Sequence, residues 1–198
     1  MAKKTSFKIP VWAWGIGIIL LLGLWLVGQY NSLVGLDVEV QNKWAEVETQ
    51  YQRRADLVPQ LVSTVQGAAE FEQSTFVDVT EARTQWLNSQ SDPNATIEDQ
   101  MAASNSFDSA FSRLLVTVEA YPELNATEGF MTLQSQLEGN ENRISVARKD
   151  YNDEVTVFNG TVRKVPKNLI ASIFGFDQYP LFESSEGAEV APTIEFDF

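Results

Sequence analysis

Two residue types are missing altogether: the 198-residue chain has no cysteine and no histidine. Without cysteine there is no disulfide, no thiol nucleophile and no acylated N-terminal cysteine. Without histidine there is no imidazole for acid–base catalysis. Zinc, copper and haem sites lose nearly all their usual ligands with the two together. Bases are scarce as well, with 14 Lys and Arg against 27 Asp and Glu and a net charge of −13. Nucleic-acid binding requires clustered bases to neutralise phosphates, so nucleic acid is not an expected partner. The first 28 residues carry Lys3, Lys4 and Lys8 and no acid, so the remainder is more acidic still by three charges. Phosphate-binding loops, a nucleophile elbow and a dinucleotide fingerprint are absent too.

What the chain does have is a long apolar run. From Ile9 to Gly28 it reads IPVWAWGIGIILLLGLWLVG, and no charge follows until Asp37. About 20 apolar residues at about 1.5 Å each match a hydrocarbon core of about 30 Å. Trp12, Trp14, Trp25 and Tyr30 lie near its ends, where amphipathic rings prefer the headgroup level. The alternative is a cleaved signal peptide, but the run is long for one and Leu26-Val27-Gly28 is a poor cleavage site. The reading is therefore an uncleaved transmembrane anchor over 9–28. Three lysines precede it and the first base after it is Lys43, which predicts residues 1–8 in the cytoplasm and the rest outside. Ala13 and Gly17 form one small-xxx-small pair through which anchors can approach.

The rest has helical periodicity. Phe130, Leu137, Ile144, Tyr151, Phe158 and Val165 recur every seven residues, with Leu133, Ala147, Val155 and Val162 between them. This predicts a helix of about 35 to 40 residues, opened by Thr127 as N-cap and stopped at Pro166. A second stripe runs through Ile97, Met101, Ser104, Phe107, Phe111, Leu114, Val118 and Tyr121, with Asn94 or Thr96 at its start and Pro122 at its end. The link NSQSDPNAT, 88–96, is rich in turn-formers and reads as a loop. Residues 33–87 hold a third stripe, flawed at Pro59, which lacks an amide hydrogen and disfavours helix at Val58. Either one helix kinks there, or Asp56 caps a new helix whose first turn tolerates the proline.

Length favours the break, since four helices of comparable length can pair along most of their span. The expected fold is all-α: a transmembrane helix followed by an antiparallel four-helix bundle over 29–176, with three helices and a kinked first one as the alternative. Four helices return the chain to the membrane, beside which Leu169, Ile170, Ile173, Phe174 and Phe176 would then lie. From Asp177 to Phe198 the sequence turns acidic and irregular. It reads as a disordered tail or, alternatively, as a strand or C-terminal carboxylate for a partner.

Charged residues at helical spacing are the only candidates for chemistry. Glu138 and Glu141 could hold magnesium or calcium, but the bundle di-iron pattern needs histidine and no EF-hand spacing is present. Arg53 and Arg54 point about 100° apart on a helix, so one can pair with a neighbouring helix while the other faces solvent. Arg83 beside Glu81, and Arg143 beside Glu141, invite the same structural reading. Phe107, Phe111, Tyr151 and Phe158 could line a ligand pocket, although core packing accounts for them. Asn94, Asn125 and Asn159 each fall in N-x-T, which matters only in a eukaryotic secretory pathway.

Read together, several stretches resemble the LemA family. They begin with Asn31 in the segment after the anchor and Trp44, and continue with Arg53, Arg54, Asp56 and Pro59. Glu81 and Arg83 follow in TEAR. Glu141, Asn142, Arg143, Arg148, Tyr151 and Asn152 come in ENRISVARKDYN, and Pro166, Phe174 and Gly175 close the pattern. The resemblance covers nearly the whole chain in order. It implies a bacterial, membrane-anchored helical bundle, with relatives among magnetosome membrane proteins, and implies no reaction and no catalytic residue. These positions are therefore taken as a structural fingerprint, with no catalytic, cofactor or metal role assigned.

The resulting expectation is a non-enzymatic, single-pass protein of the bacterial cell membrane, with the lipid bilayer, copies of itself and an unidentified envelope protein as partners. The polar residues of ENRISVARKDYN are expected to pair with Arg53, Arg54 or Glu81 on facing helices.

Overall fold

The computed structural model describes residues 10–65, 73–119, 121 and 127–183. Five helices account for almost all of it, and there is no strand among the described residues. Helix α1 spans Val11–Val65, α2 Gln73–Ser91, α3 Ile97–Glu119, α4 Glu128–Val162 and α5 Lys167–Phe174. At about 1.5 Å per residue, the 55 residues of α1 make a rod about 80 Å long.

The apolar run and the first bundle helix are one helix, with no linker between them. Side chains from Trp12 to Val27 are largely exposed, and none of the most apolar stretch packs inside the protein. From Leu33 onward the same helix changes character. Leu33, Val40, Trp44, Val47, Tyr51, Ala55, Val58 and Leu61 are buried at helical spacing.

α4 lies antiparallel along α1, and α2 and α3 form a second antiparallel hairpin. The register is tied by Asn140 Nδ2 donating to the Gln50 carbonyl at 3.1 Å and Lys167 Nζ donating to Ser32 Oγ at 2.9 Å. The four helices α1 to α4 thus alternate in direction, as the antiparallel bundle reading requires. Thr127 caps α4 by accepting from the Phe130 amide, and the whole predicted stripe from Phe130 to Val162 is buried. Val165 departs from it: α4 has ended at Val162, and Val165 is 80% exposed. Thr96 opens α3 through a reciprocal box, its hydroxyl accepting from Asp99 N while the Asp99 carboxylate accepts from Thr96 N.

Two expectations about breaks are corrected. The predicted loop over 88–96 is shorter, because α2 continues to Ser91 and the Ser89 and Ser91 hydroxyls donate back to the Trp86 and Leu87 carbonyls. More consequential, α1 neither ends nor starts anew at Asp56. It runs through Pro59, and the division between the first two bundle helices falls after Val65, at residues outside the described set.

The reason is visible one helix away. Pro59 has no amide hydrogen to give the carbonyl four residues earlier, that of Ala55, and its ring crowds that oxygen. Arg83 of α2 supplies the missing donor: its Nε donates to Ala55 O at 2.6 Å. Two fingerprint residues far apart in sequence therefore meet at one buried peptide group.

Past α5 the chain stays packed. Gly175 takes a left-handed conformation, φ 76°, where a side chain would be strained, and the Gly175 and Phe176 amides both bond to Ala171 O. Residues 177–183 then run as an extended strap along α4. Asn159 bonds both backbone groups of Tyr179, and Asn152 does the same for Phe182, at 2.8 to 3.0 Å. Seven helical residues rise about 10 Å and three extended residues span about the same, so the two asparagines match the strap's repeat. The expected tail beginning at Asp177 is thus, for its first seven residues, part of the packed unit; residues 184–198 lie outside the described residues.

The proline account predicts a coupling. Arg83→Met is expected to cost about 1–3 kcal/mol in urea denaturation, the penalty for orphaning a buried carbonyl. In a Pro59→Ala background, where the helix supplies its own amide, most of that cost should vanish in the double-mutant cycle. Strict additivity of the two substitutions would show that Arg83 does not serve Pro59.

Candidate functional site

The polar residues of ENRISVARKDYN meet their partners halfway up the bundle. At the centre is Arg54, 2% exposed, on the buried face of α1. A buried guanidinium requires anions and acceptors around it. It has two: the carboxylates of Asp108 from α3 and Glu141 from α4. Arg148, two turns beyond Glu141 on α4, pairs with the other oxygen of Asp108. Tyr51, one turn before Arg54, donates its hydroxyl to Asp108 at 2.9–3.0 Å and accepts from Arg148. Two cations and two anions thus neutralise one another, with three helices contributing.

Aromatic rings enclose the charges. The Arg54 guanidinium lies 5.0 Å from the Phe111 ring and 5.4 Å from that of Tyr51. Arg148 lies 4.5 Å from the ring of Phe182, which the strap lays over it. Phe182 in turn stacks on Trp44 and meets Tyr151 edge-on. Trp44 spends its indole N–H on Gln100 of α3 at 2.7 Å and Glu48 at 3.0 Å, and Tyr151 donates to the Pro180 carbonyl.

The expected pairing is therefore observed for Glu141 and Arg54 and corrected elsewhere. Arg148 pairs with Asp108, a residue the sequence reading passed over. Glu81 faces solvent and accepts from Gln85 on its own helix. Arg53 is exposed beside Gln50, as expected for the outward member of its pair. Exposed Arg53, Asp56 and Arg143 border a solvent-open hollow between α1 and α4. Asn31 is exposed on α1, Pro166 precedes α5, and Phe174 packs on Tyr30. Asn142 borders a groove of about 910 Å³ between α3 and α4, with Phe111, Leu115, Phe130 and Leu137 in its walls.

Neither chemical alternative finds its geometry. Glu138 accepts from Gln134 while Glu141 is held by Arg54, and no three acidic side chains gather as a metal site among the described residues. Phe107, Tyr151 and Phe158 are fully buried core residues, and of the four aromatics only Phe111 reaches the groove. The Asn159 amide is occupied by the strap, so its N-x-T pattern is a packing feature in the folded chain.

Burial drives up the phenols around the cluster. The Tyr51 hydroxyl is pushed well above its usual 10.0 by burial and by the adjacent Asp108 carboxylate. Burial, then the neighbouring Tyr179, does the same to Tyr151. Tyr179 is pushed up to about 12 by burial and by its hydrogen bond to Asp37.

Two measurements follow from this geometry. Asp108→Asn leaves two cations side by side, one fully buried, and is expected to cost about 3–5 kcal/mol in denaturant titration. Glu141→Gln removes an anion that is 65% exposed and should cost about 1 kcal/mol or less. Equal effects would contradict the central place given to Asp108. On the alkaline side, the folded values of Tyr51, Tyr151 and Tyr179 lie above that of the unfolded chain. Their stabilisation is therefore complete below pH 10 and is lost as pH rises toward about 12, the value for Tyr179. Helix loss and tyrosinate absorbance should rise together in that window. Full tyrosine ionisation at the usual pH with helix content intact would contradict the buried placement.

Comparison with known proteins agrees with the fold. The LemA family model matches residues 43–196. Magnetosome protein MamQ 2 of Paramagnetospirillum magneticum is 25% identical over 185 residues, covering 83% of this chain and 68% of that protein. Magnetosome protein MamQ of Magnetospirillum gryphiswaldense is 23% identical over the same length and coverage. Protein LemA of Metamycoplasma hominis is 24% identical over 160 residues, 81% of this chain and 71% of its own. The matched span runs from Trp44 and the charge cluster to beyond the strap, and the chain belongs to the LemA family.

Proposed function

We propose that this protein is a non-enzymatic, single-pass scaffold of the bacterial envelope that assembles with copies of itself or docks an envelope partner. The observation that carries the reading is the uninterrupted α1. One helix is both the apolar segment and the central staff of the bundle, so the domain is mounted rigidly and at fixed height. A rigid mount suits a part that positions others. The cluster around Arg54 supports the same reading, because its charged groups satisfy one another. The relatives named magnetosome proteins belong to a structure of the bacterial cell, which is in keeping with an organising role for this chain.

Lys3, Lys4 and Lys8 before the apolar run argue for a cytoplasmic N-terminus and a helical domain outside. Cross-linking in native membranes and mass photometry of the solubilised protein should both yield species larger than a monomer. Monomers alone in both would argue against self-assembly. Protease added outside intact spheroplasts should cut the helical domain; protection there, with cleavage after lysis, would reverse the orientation.

A further inference from the structure

The domain is acidic almost everywhere, yet no acid occurs between Glu154 and Asp177. That interval holds three bases, Arg163, Lys164 and Lys167, and it forms the corner where α4 ends and α5 begins. α5 is strongly two-faced. Ile170 and Ala171 are buried against the bundle, while Val165, Leu169, Ile173 and Phe174 are 80%, 61%, 76% and 59% exposed. Leu169 and Ile173 are four residues apart on α5, so they share one side of that helix.

Position says what covers that side. The ring of Phe174 lies 4.7 Å from that of Tyr30, two residues past the end of the apolar run, and Phe176 meets the same ring at 5.8 Å. Lys167 Nζ bonds Ser32, the next turn of the same helix. The exposed apolar residues of α5 thus lie beside α1 just past the end of its apolar stretch. An aqueous setting would leave four large apolar side chains in water beside three bases. An anionic bilayer surface suits both, with acyl chains for the apolar residues and phosphates for the cations.

We propose that the α4–α5 corner is a second membrane contact: an interfacial helix seated on anionic lipid next to the anchor, which fixes the tilt of the bundle. The proposal rests on the reading of residues 9–28 as a transmembrane segment, and the test separates the two. Because the chain has no cysteine, single spin labels can be placed cleanly. The full-length protein is reconstituted in phosphatidylcholine vesicles containing phosphatidylglycerol, with labels at Ile19→Cys, Ile173→Cys or Val146→Cys. Val146 is an exposed α4 residue two residues before Arg148 of the charge cluster.

The label at 173 should be reached by oxygen more than by a water-soluble nickel complex, as at 19 and opposite to 146. Lys164→Glu with Lys167→Glu should shift the label at 173 toward the aqueous pattern, with circular dichroism showing helix content retained. If 173 matches 146 while 19 remains lipid-exposed, the interfacial contact is wrong and the anchor stands. If 19 is also aqueous, the anchor reading fails and the proposal with it. A label at 173 shielded from both reagents would mean that protein, rather than lipid, covers the corner. No response to the lysine substitutions would overturn the part assigned to anionic headgroups.

Discussion

The fold depends on the demand made by one buried cation. Arg54 has almost no access to water, so its charge must be answered within the protein. The answer comes from α3 through Asp108 and from α4 through Glu141, which fixes how both helices sit against α1 in rotation and in height. Apolar stripes alone would tolerate a slip of one turn, because a leucine packs comparably against several neighbours. A guanidinium between two carboxylates does not. On this view the cluster contributes register more than net stability, the use for which buried ion pairs are best suited. Asp108 carries most of the load, since it also serves Arg148 and Tyr51.

Register would mean little if α1 yielded below it. Pro59 is the weak point, five residues above Arg54, and the Arg83 guanidinium mends it from α2 by taking the carbonyl that the proline abandons. Arg54 and Arg83 act at adjacent residues of one helix, one through charge and one through the Ala55 carbonyl. Together they tie this part of α1 to α2, α3 and α4.

Much of this was legible from periodicity. The buried face of α4 follows its heptad residues from Phe130 to Phe158, the caps Thr127 and Thr96 lie where their side chains announce them, and the even number of bundle helices followed from their lengths. The failures have one cause, a partner distant in sequence. Nothing local at Pro59 reveals that Arg83 will supply a donor, so a break near Asp56 was the better local reading. Asp108 carried a faint signal. It sits seven residues after Met101 and four after Ser104, at a position of the α3 stripe that should be apolar. The strap was hidden more completely, because Asn152 and Asn159 recognise its backbone rather than its side chains. Tyr179 and Phe182, the aromatics within 177–183, were the hint that it was not simply solvated.

Chain direction and charge distribution belong to the same solution. An even number of helices brings the end of α4 back to the level of Tyr30 and Ser32, just past the apolar run of α1. Elsewhere the chain carries an excess of acid. At the corner between α4 and α5 the acids disappear and three bases take their place, which is what the proposed contact with anionic lipid requires. Sequence position alone does not explain this sorting, because the interval from 155 to 176 is as remote from the apolar run in the chain as any part of the bundle. Its packing against Tyr30 and Ser32, just past the apolar run, does so under the proposed membrane contact. Under that proposal the composition of α5 follows from the parity of the bundle, and the helices that set the parity are tied to α1 by the contacts of Arg54 and Arg83.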